Sequence, residues 1–360
     1  MRHVDVAVAG LGLSGAATAW AAVRRGHDVA AFETYEAGHR RGSSHGHSRI
    51  FRRAYLDPFY VELTGRAGHL WERLAAETGQ NPLDRVGGID HGPGRGPEDM
   101  TVLLREHGVA AELLDREEAA RRFPGIRFAG PATYDPEGGV LDPEAAVASM
   151  VRLAVAGGAQ VAYETPVRDI EEDGDGVRFR AGDETWHART LVVAAGSWVG
   201  PLLGGLVPLP RLTVTEQPIF YFAPYEPGPW PTIVHGATSE SPEMYALPEG
   251  PLVKVGDHVH GGVTTADGRD FAVPAEARSR AVEYVREWLP GLDPDPRSET
   301  TCLYTRAPGE DFILDRQGPI VVCSPCSGHG AKFAPLIGEL VTDLVEGAEP
   351  IARFALTPPA

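Results

Sequence analysis

Cysteine is scarce in this chain, with three in 360 residues. An odd number without regular spacing excludes the disulfide framework of a small secreted scaffold, so the thiols are expected to be reduced. Positive charge is also in short supply: 33 Lys and Arg stand against 50 Asp and Glu, a net charge of −17. A field of that sign repels nucleic acid and anionic membrane surfaces, and neither is expected as a partner. No apolar run approaches the ~18 residues of a membrane span, and the first apolar stretch is too short for a signal peptide, so a cytoplasmic location is expected. The composition that is left, 42% hydrophobic and 23% charged, suits a globular fold. Its length exceeds one ordinary core and predicts one large or two intertwined domains.

Two further absences narrow the chemistry. Cys323 and Cys326 form a C-x-x-C, but it closes the apolar stretch PIVVC instead of opening a helix, and no second ligand pair follows. Small thiols packed at a strand end are the better reading than a redox dithiol or a zinc half-site. The pairs His45/His47 and His258/His260 have the H-x-H spacing that turns both rings to one face of a strand. No carboxylate or thiol set completes either pair, and no metal is expected.

Residues 4 to 9, VDVAVA, read as a short buried strand. Gly10, Gly12 and Gly15 follow in G-x-G-x-x-G spacing, then an alanine-rich helix, then a strand at 28 to 32 with Glu33 at its end. This order is the fingerprint of dinucleotide binding. The glycines allow a tight turn and close backbone approach to pyrophosphate at a helix N-terminus, and the acid takes ribose hydroxyls. An acid in place of a base argues against a 2′-phosphate and leaves NAD and FAD open.

Phe59, Leu63, Leu70, Trp71 and Leu74 predict an amphipathic helix over residues 59 to 75. A second helix, over 142 to 157, should open with Asp142 as cap and Pro143 in its first turn. The following stretch reads as a β-meander that closes on the buried strand TLVVAAG, where Gly196 and Trp198 bring backbone close to a cofactor a second time. From 206 to 315 the stretches PIFYFAP and PLVKVGDHVH and one helix, ARSRAVEYVREWLP, predict an antiparallel sheet with helices. GPIVVCS, SGHG and PLIGELVTDLVEG then supply a strand, glycines and a last helix. The expected class is α/β, α+β overall. A discontinuous cofactor domain takes residues 1–84, 140–205 and 318–360, and a substrate domain with an antiparallel sheet takes 85–139 and 206–317.

Together with the run SSHGHSRIFRRAY at 43 to 55, LVVAAGSW, PLVKVGDH, TTCLYT and CSGHGAKF at 326 to 333, these segments resemble the monomeric sarcosine oxidase family of flavoprotein amine oxidases. That family includes N-methyltryptophan oxidase and pipecolate oxidase. The resemblance runs over nearly the whole chain. It implies a glutathione-reductase-like FAD-binding domain in a monomer, FAD as cofactor, and oxidation of a secondary or N-methyl amino acid by dioxygen (O2) with release of hydrogen peroxide. A cyclic imino acid as substrate, or a dehydrogenase with another acceptor, is the alternative.

The resemblance also implies roles. Cys302, two residues before Tyr304 and followed by Thr305 in the C-x-Y-T pattern, matches the cysteine bonded to the flavin 8α-methyl group; on its own it reads as an inert buried thiol in a strand. Arg52 and Lys332 match the pair that clamps the substrate carboxylate, a fork and a point charge. Lys254 interrupts an apolar strand, where it either faces solvent or is costly to bury, and it matches the lysine that assists oxygen reduction. His258 and Tyr245 match cavity-lining positions, and Arg49 a contact to the flavin ring. Further cofactor contacts are implied at Gly10, Gly12, Gly15, Glu33, Ser43, His45, Ser48, Val167, Gly196, Trp198, Gly328, His329 and Gly330. His47, Ser44, Pro325 and Cys326 depart from the residues common in the family, and they bear on cavity shape more than on reaction type.

Overall fold

The computed structural model describes residues 1–237 and 242–356. Its first sheet has eight strands. Arg2–Ala9 lies parallel to Val29–Phe32 on one side and to Glu184–Val193 on the other, and Gln160–Ala162 and Ile320–Ser324 extend the parallel array. All four strands of its centre end on one side, where Ala9 is level with Phe32 and Val193, and Val193 with Val322. Four loops therefore open from the carboxyl edge of one sheet, the position where open α/β sheets hold their ligands. The strands read VAVA, VAAF, LVV and IVVCS because both faces are covered.

The helix Leu13–Arg24 is almost wholly buried. It packs on Ala334–Val345, where an added Cβ at Gly338 would fall 2.4 Å from the Ala17 carbonyl, and on Pro143–Ala156. The last of these begins as expected: the Asp142 carboxylate accepts from the Ala145 amide at 2.9 Å with Pro143 in the first turn. Pro58–Thr78 starts in the same way, with Asp57 capping Phe59, and ends on left-handed Gly79.

The second sheet has nine strands. Thr213–Phe222 pairs along its length with Ser298–Arg306, which sets Gln217 opposite Cys302. Its other edge meets Leu252–Asp257 and Gly262–Thr264. The sheet departs from the expected antiparallel pattern at one place, where Gly88–His91 and Thr232–His235 run parallel. Such a pair needs a long crossover, and the chain supplies it by leaving for the first sheet between them. A second departure concerns Ile313–Gln317, assigned from the sequence to the substrate domain: it pairs with Ile320–Ser324 in the first sheet. The chain changes sheet just after Arg306, earlier than composition suggested. Residues 357–360 of the expected last segment lie outside the described residues.

The parallel pair buries two imidazoles. His91 and His235 stack at 4.2 Å with 10° between their planes, and neither Nε2 has a hydrogen-bond partner. Burial pushes His91 down to about 3 and His235 to about 4 from the usual 6.5. The unfolded chain therefore binds more protons than the fold between pH 6.5 and 4, so stability is full above that window and is lost as pH falls through it. We expect the urea midpoint to fall over this range, and His235→Phe to flatten the fall; an equally steep dependence in the variant would refute the assignment.

Candidate active site

The loops from the carboxyl edge and the facing strands of the second sheet enclose a cavity of about 1410 Å³. Single small-molecule pockets are roughly 300–1,000 Å³, so this one has room for a dinucleotide and a further ligand.

One wall is the glycine turn. Gly10 has φ +97°, and an added Cβ there would fall 2.6 Å from the Ala194 carbonyl oxygen. A Cβ on Gly15 would fall 1.8 Å from the Gly10 oxygen, which makes glycine obligatory at both positions. Ser44 Oγ accepts from the Leu13 amide at 3.0 Å, and no acid occupies the first helical turn. The positive end of the helix is left facing the cavity. Glu33 accepts from the Leu11 amide at 2.9 Å, with His39 Nε2 at 3.4 Å. Burial pushes its carboxyl up, but the His39 and Leu11 contacts outweigh this and hold it below the usual range. Val167, Gly196 and Trp198 line the same cavity, and the Trp198 indole donates to Asp267 at 2.8 Å. These residues fit the phosphate and ribose of a dinucleotide.

The loop of residues 43–49 crosses to the second sheet. Ser43 Oγ donates to the Leu303 carbonyl at 2.7 Å. Arg49 donates to the carbonyls of Ser43, His45 and Ser48 at 2.8, 2.9 and 2.6 Å, and one amino group lies 3.6 Å from Cys302 Sγ. Cys302 is 4% exposed yet borders the cavity.

Lys254 is 3% exposed, so the solvent-facing alternative is excluded. Its ammonium donates to the Ser48 carbonyl at 2.9 Å and to Ser48 Oγ at 3.2 Å, with Glu249 Oε2 at 3.8 Å. Ser48 Oγ in turn donates to Glu249. Burial first, then the charge of Arg49, lower Lys254 to about 7 against the opposing pull of Glu249.

A third group gathers at Tyr55. The Arg52 guanidinium lies 4.5 Å from the centre of its ring, and Lys332 Nζ donates to its hydroxyl at 3.1 Å and to the His329 carbonyl at 2.7 Å. His329 Nε2 is 3.1 Å from the Glu310 carbonyl, which can only accept, so Nε2 carries the proton. Its Nδ1, 3.1 Å from the Tyr55 hydroxyl, is then the acceptor, and Tyr55 donates to it. Arg52 shares Asp90 with Arg95, at 3.7 Å from Asp90 in its own case. Among the described residues Lys332 has no carboxylate within ion-pair distance, although it is 4% exposed.

Tyr245, Tyr304 and His258 also line the cavity. The two phenols are hydrogen-bonded to each other, and burial pushes both well up. Gly256 makes room for Tyr245, since an added Cβ would fall 2.3 Å from its hydroxyl. Gly328 does the same for Tyr304 and His258. Gly330 is as constrained, with the Pro325 carbonyl 1.6 Å from an added Cβ.

Of the residues singled out from the sequence, His45 and Gly15 do not line the cavity. Gly15 supports Gly10 from behind. The His45 ring is buried 3.5 Å from Arg269, and burial plus the surrounding cations push it to about 3. The H-x-H pairs do not converge: His47 faces Asp142 and His260 faces Asp257. No metal-ligand group occurs among the described residues. All three cysteines are free. Cys323 ends a strand with its thiol pushed up to about 12 by burial, and Cys326 Sγ accepts from the Thr305 amide at 3.3 Å. Sequence reasoning missed Tyr55, Glu249 and Arg269. Arg269, its side chain 2% exposed, donates to the carbonyls of Arg40, Arg41, Gly42 and Thr301 and holds that turn against the strand of Cys302.

The FAD dependent oxidoreductase (DAO) family matches residues 5–344 of this chain. Monomeric sarcosine oxidase of Streptomyces avermitilis is 33% identical, over 97% of this chain and 96% of its own length. N-methyl-L-tryptophan oxidase of Citrobacter koseri is 30% identical, over 98% and 97%. Among solved structures the chain is similar to NikD, an unusual amino acid oxidase essential for nikkomycin biosynthesis, with a TM-score of 0.88 and 25% identity over 99% of this chain and 98% of that one.

The Lys254 environment makes a measurable claim. The rate of its acetylation by acetic anhydride, read by peptide mass spectrometry, should rise with pH around a midpoint near 7. Glu249→Gln removes the one carboxylate within ion-pair distance among the described residues and should move the midpoint to lower pH. A wild-type midpoint at the free-lysine value of about 10 would contradict the assigned environment.

Proposed function

The chain belongs to the FAD dependent oxidoreductase family, and from that premise we propose that it oxidises a secondary or N-methylated amino acid at a carbon beside the nitrogen, with dioxygen as acceptor and hydrogen peroxide as product. The observation that carries this reading is the gathering of Arg52 and Lys332 around Tyr55, at a cavity that also holds Cys302 and Lys254. Gly10, Gly12 and the following helix N-terminus would hold the FAD pyrophosphate, with Gly15 shaping their turn. Glu33 would take the ribose, and Ser43, Ser48, Arg49, Gly328, His329 and Gly330 would border the ring. When bound, FAD supplies the acceptor for the hydride that leaves the substrate carbon.

The protein's own groups do the rest. Arg52 and Lys332 bind the carboxylate, which fixes which carbon faces the cofactor; orientation of this kind is worth orders of magnitude in rate. Tyr245, Tyr304 and His258 form the wall behind the substrate and exclude water. Burial pushes His258 down to about 4, so it stays neutral and adds no competing charge. Lys254, protonated at Nζ, stabilises the negative charge that develops on dioxygen as it is reduced. Cys302, a buried thiol that borders the cavity, would anchor FAD covalently through Sγ. A net charge of −17 and the lack of any helix long and apolar enough to cross a membrane among the described residues support a small-molecule enzyme. We place it as a monomer in the cytoplasm.

Three measurements test the reading. Acid precipitation should leave yellow colour on the polypeptide and Cys302→Ser should release it; colour retained by the variant would remove Cys302 as anchor. Arg52→Ala should weaken a carboxylate inhibitor by about 2 kcal/mol or more, roughly 30-fold, because a buried charge contact is lost. Lys254→Met should slow reoxidation of the reduced enzyme by air roughly 10²–10³-fold, with little change in anaerobic reduction by substrate. Since Lys254 holds its proton below about 7, wild-type reoxidation should slow as pH rises through that value. A flat profile would detach the lysine from the oxygen step.

A further inference from the structure

Lys332 is buried in a setting that gives it hydrogen bonds but, among the described residues, no charge partner. Its main chain is fixed, because the Trp71 indole donates to the Lys332 carbonyl at 2.7 Å. Its ammonium meets only neutral oxygens, the Tyr55 hydroxyl and the His329 carbonyl. Among the described residues the charged groups around Tyr55 have partners of their own, Glu243 being held by Arg95. Arg52 is a second cation, while Asp90 is shared between Arg95 and Arg52. Asp57 and Asp311 are both held by Arg353, and Glu310 by Arg306. Burial and Arg52 lower Lys332 well below its usual range, so without a ligand the surroundings disfavour its charged form.

A bound amino acid changes that balance in two ways. Its carboxylate supplies the missing anion and raises the proton affinity of Lys332. Its nitrogen, an ammonium in solution, must lose a proton before a carbon beside it can give up hydride. The other basic groups near Tyr55 are poor acceptors. His329 already accepts from Tyr55 at Nδ1 and donates at Nε2; it is pushed to about 3, and His258 to about 4. Tyr55 has both its donor and an acceptor site engaged.

We infer that Lys332 takes the proton that the substrate ammonium loses: an N–H bond of the bound amino acid breaks, an Nζ–H bond forms, and the anionic amino acid is left paired with the lysinium. No oxidant or outside base takes part, and the charge of the complex is unchanged. The lysine that clamps the carboxylate thus becomes a cation only in the presence of the group it clamps. The inference rests on the amino-acid substrate proposed above and adds the route of one proton.

Calorimetry on the oxidised holoenzyme tests it, at pH 8.5 in phosphate and in Tris, whose ionisation enthalpies differ. The probe is methylthioacetate, a carboxylate with no amine. Binding should draw about one proton from the buffer, because no ligand ammonium can supply it. Lys332→Arg, a permanent cation, should bind the probe with no proton uptake, and Lys254→Met should retain the uptake. 2-Aminoisobutyrate, a zwitterion with no hydrogen on the carbon beside its nitrogen, should bind wild type without net uptake. Saturable binding of methylthioacetate with no dependence on buffer would overturn the inference and leave the carboxylate clamp intact. Uptake that persists in Lys332→Arg or vanishes in Lys254→Met would overturn it as well, as would a zwitterion that draws a proton or does not bind. No saturable binding of methylthioacetate would overturn the clamp itself, and the inference with it.

Discussion

The burial of positive charge is the constraint around which the cavity is organised. An ammonium taken out of water costs several kcal/mol unless carboxylates or aligned oxygens replace its hydration. Lys254 and Lys332 meet that cost by different means. Lys254 has Glu249 at 3.8 Å and both oxygens of Ser48, so part of its compensation is built in. Lys332 has two neutral oxygens and, among the described residues, no carboxylate. The first lysine keeps an intrinsic partner and is suited to a reaction in which no anionic ligand need be present. The second is left short of one negative charge, and an incoming carboxylate completes it. In the proposed function the two lysines would therefore serve different steps because of what lies behind each of them.

The fold delivers those partners from far apart in the chain. Lys254 reaches Ser48 across 206 residues, Arg49 reaches Cys302 across 253 and Lys332 reaches Tyr55 across 277. Each contact joins a loop fed by the first sheet to another part of the chain, and each depends on the parallel strands ending level with one another. The glycine contacts serve the same end. Gly10, Gly15 and Gly330 sit against carbonyl oxygens at distances no Cβ could occupy, so the loops close tightly enough to bring their side chains to one cavity. Arg269 then pins the turn at residues 40–42 to the strand of Cys302. Without it, the segment that carries Ser43, Ser48 and Arg49 would be tied to that strand mainly by the Ser43 contact to Leu303.

What could be read in the sequence was local. The glycine turn with its flanking strand, helix and acid, the Asp142-Pro143 helix start, and the meander before Gly196 all follow from short-range rules, and the structure places them where those rules predict. The residues that were missed owe their role to distant partners. Arg269 lies in ADGRD, which reads as a solvated turn, yet its side chain is enclosed by four carbonyls from two other segments. Glu249 lies in a hairpin, LPEG, where an acid is unremarked until the antiparallel register of Met244–Glu249 with Leu252–Asp257 sets it beside Lys254. Tyr55 ends an arginine-rich run, and nothing in RRAY says that its hydroxyl will join Lys332 to His329. The parallel pairing of Gly88–His91 with Thr232–His235 was hidden for the same reason. Both segments have ordinary strand patterns, and the direction of pairing is a property of the crossover between them.

The chain carries a net charge of −17, which disfavours the approach of any anion, including the carboxylate that the proposed function places in its cavity. A zwitterion avoids that opposition, because its charges cancel at a distance and separate only at close range. Within the cavity the order reverses. In the proposed function Arg52 and an uncompensated Lys332 favour the carboxylate, while among the described residues no acid beside Tyr55 is free to pair with an ammonium, since Asp57, Asp90, Glu243, Glu310 and Asp311 all have arginine partners. A simple carboxylic acid is thus opposed outside, and a simple amine finds no counter-ion inside. An amino acid that enters as a zwitterion and gives its proton to Lys332 meets neither obstacle, so selection for that class of molecule follows from where the charges lie before any side-chain pocket has contributed.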